Sequence, residues 1–171
     1  MNDTATQTGL IDRINDRIGR AASWMTLAMV IITFIVVVMR YVFDAGLIWL
    51  QESVTWMHAA VFMLGAAHTL QHDEHVRVDV FYRGMSERRR AVVDLFGVLA
   101  FLWPMCGFLA WAAWDFVAVS WSIGEASREA GGLPYPWIPM LKTVLVLMPL
   151  TVALQGLAIV LRSYRRLAGA S

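Results

Sequence analysis

The stretch His72–Arg90, HDEHVRVDVFYRGMSERRR, decides the fold, because it divides an otherwise apolar chain into two hydrophobic hairpins. It carries Arg77, Arg83, Arg88, Arg89 and Arg90. A basic connection of this length between apolar spans is of the kind retained on the cytoplasmic side of a membrane. The cluster, with Arg77, Arg88, Arg89 and Arg90 at its centre, is therefore read as setting orientation and meeting anionic lipid, with no nucleic acid as a partner.

Composition points the same way. The chain has 171 residues, 58% of them hydrophobic and 16% charged. A soluble domain of that size carries about a quarter charged residues, so this is an integral membrane protein with one domain. The single cysteine, Cys106, lies in an apolar run and excludes a disulfide framework or a cysteine-rich metal site.

Working outward, Met1–Gly9 reads as a mobile polar tail. Leu10, Ile11, Ile14, Ile18 and Ala22 then fall at helical spacing among Asp12, Arg13, Asp16, Arg17 and Arg20. This describes an amphipathic helix at the inner membrane surface, or else a solvated extension of the first span. Four windows without Asp, Glu, Lys or Arg follow, Ala21–Met39, Ser53–His72, Leu95–Trp114 and Thr143–Leu161, each 19 or 20 residues long. At about 1.5 Å per residue each matches the roughly 30 Å hydrocarbon layer. The predicted fold is all-α, with four transmembrane helices over about 21–42, 49–72, 91–116 and 139–162 in one membrane domain, 10–166, followed by a tail, 167–171. The first apolar window continues into Met39-Arg40-Tyr41 rather than a small-residue cleavage site, which marks it as a span and not a leader.

The cations fix the topology. The amino-terminal segment, the central loop and the carboxy-terminal tail hold eleven Lys and Arg residues, and the opposite connections hold three, Arg40, Arg128 and Lys142. Both termini are therefore predicted inside, in a multi-pass membrane protein. Tyr41, Trp49, Trp114, Trp121, Tyr135 and Trp137 mark the outer boundary, and Trp24, Tyr82 and Tyr164 the inner one.

The central turns of the spans offer only His58, Thr33, Thr151 and Gln155 as polar groups. Secondary transporters hold ionisable groups or interrupted helices at that depth, since a desolvated ion needs something to replace its water. The chain by itself is therefore expected to move no solute. No cofactor is expected either: haem between two histidines needs ligands on facing helices, and only the second span contains histidine. His58 is expected to be hydrogen-bonded within a helix interface. His72, Asp73, Glu74 and His75 are consecutive at a helix end and point in different directions, which favours headgroup contact over a metal cluster. Pro104 and Pro149 interrupt the backbone ladders of the third and fourth spans.

The outer side is chemically richer. Glu52, expected in the first turn of the second helix, suits the helix dipole, and Lys142, expected in the first turn of the fourth, opposes it. Pairing of Lys142 or Arg40 with Glu52, Asp115 or Glu125 would lock the outer helix ends together; independent snorkelling to water is the alternative. In the loop Ser120–Pro139, Gly131-Gly132 permits unusual backbone angles, while Pro134 and Pro136 stiffen a segment carrying Tyr135 and Trp137. Pro139 suits the first turn of the last helix.

Arg40-Tyr41, Trp49-Leu50-Gln51-Glu52, Gly65-Ala66, His75-Val76-Arg77-Val78-Asp79, Glu125-Ala126-Ser127 and the run Gly132 to Lys142 together resemble the small permease subunit of tripartite ATP-independent periplasmic (TRAP) transporters. The likeness spans roughly Ile11–Arg166, with Gln51 where many relatives have an acidic residue. It implies a non-catalytic subunit that packs beside a large permease subunit carrying the substrate path and sodium sites. A periplasmic solute-binding protein would deliver an organic acid to the pair. Arg40, Glu52, Glu125, Ser127, Tyr135, Trp137 and Lys142 are then the candidate residues of the outer side, and exposed Arg128 joins them as a docking candidate. The rival readings are a membrane anchor for a redox enzyme and a small stand-alone exporter.

Overall fold

The computed structural model describes residues 10–72, 82 and 84–168, and within them the protein is helical with no strand. The expected amino-terminal tail, residues 169–171 and the segment holding Arg77, Arg83 and His75 lie outside the described residues, while Leu167 and Ala168 of the expected carboxy-terminal tail are helical. Four long helices run up and down: α1 (Leu10–Val42), α2 (Ile48–Gln71), α3 (Glu87–Ser122) and α4 (Trp137–Ala168). The short connections 43–47 and 123–136 close one end of the molecule, the loop end. The start of α1, the end of α2, the start of α3 and the end of α4 share the other, the terminal end.

Three helices, counted over Asn15–Val42, Glu87–Ser122 and Trp137–Ala168, are long and apolar enough to cross a membrane. Together with the apolar composition they make this a multi-pass membrane protein. The 24-residue α2 has the length of a span but carries more polar residues. The other three, at 33, 36 and 32 residues, are roughly 50 Å long and exceed the hydrocarbon thickness by several turns.

The amphipathic segment at the amino terminus is not a separate helix in the membrane plane. It continues α1 without a break, because Asn15 and Gly19 turn inward against neighbouring helices. Asn15 is 2% exposed and its Nδ2 donates to Gln155 Oε1 on α4 at 2.8 Å. That bond holds the stub to α4 and satisfies two amides that hydrocarbon would leave unpaired.

Packing is inside out relative to a soluble domain. The buried positions are Ala22, Ala60, Ala67, Ala91, Val98, Cys106 and a few others of modest size, together with the polar Asn15, Ser120, Gln155 and Ser163. The large side chains face outward: Trp24 is 72% exposed, Phe62 74% and Trp111 73%. Small residues inside allow close backbone approach, and large apolar ones outside meet lipid or another membrane subunit.

The fourth helix organises the rest, touching α1, α2 and α3, whereas α3 packs chiefly on α4. Its closest approach is at Gly156, whose missing Cβ leaves room for Leu102, Trp103 and Val98 of α3. Val98 and Leu102 begin and end a π-helical turn, Val98–Leu102, and Trp103 follows it just ahead of Pro104. The proline lacks an N–H and crowds the preceding carbonyls, and the wider turn absorbs it within a continuous helix. Trp103 Nε1 then donates to the Ala153 carbonyl at 3.1 Å. Pro149 is fully buried in α4 and serves packing, whereas Pro104 is exposed on α3.

A Cβ added at Gly156 would lie 2.6 Å from Leu102 and 3.0 Å from Trp103 Nε1. Overpacking of this kind costs about 1–3 kcal/mol. Gly156→Val should therefore lower the midpoint of thermal unfolding in detergent, whereas the same change at open Gly97, which has nothing within 4 Å, should move it far less. Equal effects at the two sites would remove the close helix contact.

Candidate functional site at the loop end

Two carboxylates organise the loop end. Glu52, on the first exposed turns of α2, accepts from Ser127 Oγ at 2.5 Å and from the Leu133 N–H at 2.7 Å. Ser127 N–H in turn donates to the Leu133 carbonyl at 2.9 Å, and Trp49 N–H donates to the Gly131 carbonyl at 3.0 Å. The loop 123–136 is thus stitched onto the start of α2. Gly131 (φ +77°) and Gly124 (φ +61°) adopt the left-handed backbone these turns require. Gly132 lies so close to Ser127 Oγ that any side chain there would displace the hydroxyl from Glu52.

Glu125 ties the same loop to α3 and α4. Its Oε2 accepts from Ser120 Oγ at 2.6 Å and from Lys142 Nζ at 2.5 Å. Lys142 also sits 3.9 Å above the Phe116 ring, so its charge is met from two sides. Of the pairings open in the sequence, the one formed is Glu125 with Lys142; Asp115 is exposed and Glu52 is used by the loop backbone. The expected first-turn positions are also corrected. The second helix starts at Ile48 and the fourth at Trp137, one and two residues earlier than expected, so Glu52 and Lys142 fall just past the first turn. The Lys142 and Ser120 hydrogen bonds hold the Glu125 carboxyl below the usual carboxylate range.

Aromatic groups cap the network. Trp56 Nε1 donates to the Trp137 carbonyl at 2.9 Å with the two rings edge to face at 5.8 Å. Trp121 Nε1 donates to Thr143 Oγ1 at 2.9 Å, and its ring meets Tyr135 edge to face at 6.1 Å. The Tyr135–Pro136 peptide is cis, and the chain turns at these two residues into the start of α4 at Trp137. Pro139 is fully buried in the first turn of α4, as its position in the sequence indicates.

Of the candidate residues, Glu52 with Ser127 and Glu125 with Lys142 are brought together as two linked pairs, flanked by Tyr135 and Trp137. Arg40 and Arg128 are exposed. Arg40 lines a polar cleft of about 670 Å³ with Asp44, Gln51, Glu52, Thr55 and Glu129. Ser120, Trp56 and Thr143 also belong to the site and were not singled out, because Ser, Trp and Thr inside apolar helices carry no signal until their partners are known. His58 is exposed on α2 rather than buried in a helix interface. At the terminal end Arg88 and Arg89 are exposed, as solvated or lipid-facing cations are, whereas Arg90 stacks over Tyr82 at 5.5 Å and donates to its carbonyl.

The depressed Glu125 carboxyl sets a pH window. A group whose folded pKa lies below its unfolded value, about 4.3 for Glu, contributes stability that is complete above that value and lost as pH falls through the lower folded one. Glu125→Gln should lower the unfolding midpoint at about pH 7, and the gap to the unaltered protein should close below about pH 4. A gap that persists in acid would assign the effect to packing rather than to the charge.

Comparison with known proteins gives two findings. A family model described as "Tripartite ATP-independent periplasmic transporters, DctQ component" matches residues 29–168. The chain is also similar to the C4-dicarboxylate TRAP transporter small permease protein DctQ of Vibrio cholerae serotype O1 (strain ATCC 39315 / El Tor Inaba N16961), with 32% identity over 71 residues. That match takes in 42% of this chain and 31% of the relative, so the chain aligns with about a third of the relative's length.

Proposed function

Because the chain belongs to the DctQ component family of tripartite ATP-independent periplasmic transporters, we propose that it is a non-catalytic membrane subunit that scaffolds a large permease subunit and helps seat a periplasmic solute-binding protein. The transport served is sodium-coupled uptake of an organic acid, in keeping with the dicarboxylate in the Vibrio protein's name. All four helices span the inner membrane, with both termini and the Arg-rich segment in the cytoplasm and the loop end in the periplasm. The charge distribution along the sequence supports that orientation. One membrane domain, 10–166, carries the whole function.

The observation that carries this reading is a polar stripe on α2. Gln51, Thr55 and His58 recur at helical spacing and are all exposed, with Phe62 continuing the face. His58 stands ten residues, roughly 15 Å, into the helix, at a depth where lipid offers no hydrogen-bond partner. A face of that chemistry fits against another membrane protein and explains why α2, unlike the other three helices, lacks a strongly apolar window of span length. The large permease subunit is the occupant this reading assigns. At the loop end, Arg128, Glu129 and Tyr135 project from a loop that Glu52 and Glu125 hold rigid, which suits a docking surface for a soluble partner.

A photo-crosslinking residue at position 58 should capture a larger polytopic subunit in native membranes, and Arg128→Glu should weaken uptake dependent on the binding protein while the membrane subunits stay associated. Absence of the crosslink would count against the scaffold face, and unchanged uptake against docking at the loop. Glu125→Lys is the less discriminating variant, since it also breaks the Lys142 pair.

A further inference from the structure

We propose that Asp16, His68 and His72 form a binding site for a divalent transition-metal cation of the zinc class, clamping α1 to α2 at the terminal end. One ligand atom from each of the three lies within 4.8 Å of the others. Asp16 Oδ1 is 3.7 Å from His68 Nδ1 and 3.8 Å from His72 Nε2. Around a tetrahedral zinc with bonds of about 2.0–2.1 Å, ligand atoms stand about 3.4 Å apart. The two Asp16 pairs need only a few tenths of an ångström to close, and the two histidine nitrogens, within 4.8 Å of each other, draw together by side-chain rotation.

The hydrogen bonds leave the required lone pairs free. His72 Nδ1 lies 3.0 Å from the His68 carbonyl oxygen. A carbonyl only accepts, so Nδ1 carries the hydrogen and Nε2, which faces Asp16, keeps its lone pair. His68 Nδ1 is buried without a hydrogen-bond partner, a condition that costs free energy until something fills it. Gln71 Nε2 donates to Asp16 Oδ1 at 3.0 Å and orients the carboxylate. Its own Oε1 is buried and unpartnered, an acceptor next to the position where a metal would carry water.

The backbone is shaped around the imidazole. A Cβ at Gly19 would come within 2.6 Å of His68 Cγ and Nδ1, so α1 admits the ring only because residue 19 has no side chain. The two histidines stand four apart on one helical face, a spacing suited to sharing one metal. Two imidazoles and a carboxylate suit zinc or its neighbours better than calcium or magnesium, and three protein ligands leave a position for water. The side chains of Asp16, His68 and His72 are 32%, 34% and 44% exposed, so a cation reaches them from solvent. His58 lies ten residues back along α2 and takes no part.

The test uses the full chain, purified in detergent without a histidine tag, stripped with chelator and titrated with zinc chloride alone. The expected result is one zinc per chain, lost or weakened at least tenfold in Asp16→Asn and His68→Gln and unchanged in His58→Gln. Zinc should raise the unfolding midpoint of the unaltered protein and of the His58 variant, but not of the other two. Gly19→Ala, which pushes the His68 ring aside, should weaken binding while Asp16, His68 and His72 all remain. Absence of stoichiometric binding by the unaltered protein would overturn the proposal. So would equal zinc affinity in a His68→Gln, His72→Gln variant whose helical content and elution match the unaltered protein.

Discussion

Hydrocarbon does not hydrogen-bond, and the architecture follows from that constraint. Each polar group carried to membrane depth has to find its partner within the protein or on another subunit. The amides of Asn15 and Gln155 answer each other across α1 and α4. Thr143 and Thr151 return their hydroxyls to carbonyls of their own helix. The indole of Trp103 is taken up by the backbone of α4 at Ala153. With no hydrophobic force to press helices together inside a bilayer, these bonds and close backbone packing hold the four rods. Gly156 facing the π-turn of α3 is the closest such contact.

The loop end obeys a different rule because water is near. There carboxylates bind backbone and side-chain donors to shape a loop rather than to react. Glu52 takes one hydroxyl and one main-chain N–H, and Glu125 takes one hydroxyl and one ammonium. Each uses a short charge-assisted bond, roughly twice as strong as a neutral one. The residues left facing outward, Arg40, Arg128 and Tyr135, are then held by a preorganised surface. Binding to such a surface loses little conformational entropy.

Among the described residues, the acidic side chains, lysine and arginine therefore sit toward the two ends, with a neutral middle. At the terminal end, the stub of α1 extends past the hydrocarbon and brings Asp16 to the last turns of α2. Arg88, Arg89, Arg165 and Arg166 surround the same end with positive charge. The exposed apolar girdle between the ends, with Trp24, Phe62 and Trp111 outermost, is far larger than a soluble monomer tolerates.

Much of this was legible in the order of residues. Windows of 19 or 20 residues free of charge foretold long helices, because span length is a one-dimensional property. The last-helix position of Pro139 and the special backbone at Gly131 were legible for the same reason, being local. Pairings were not. That Lys142 meets Glu125 rather than Glu52, that Asn15 turns inward instead of lying at the surface, and that His68 and His72 face Asp16 are contacts between segments 17 to 140 residues apart. Nor does composition reveal that Pro104 is absorbed by a π-turn opposite Gly156. Helix rotation and register decide such contacts. When helices are apolar on every side, rotation is set by which small residues let two backbones approach, and that is a property of the packed structure alone.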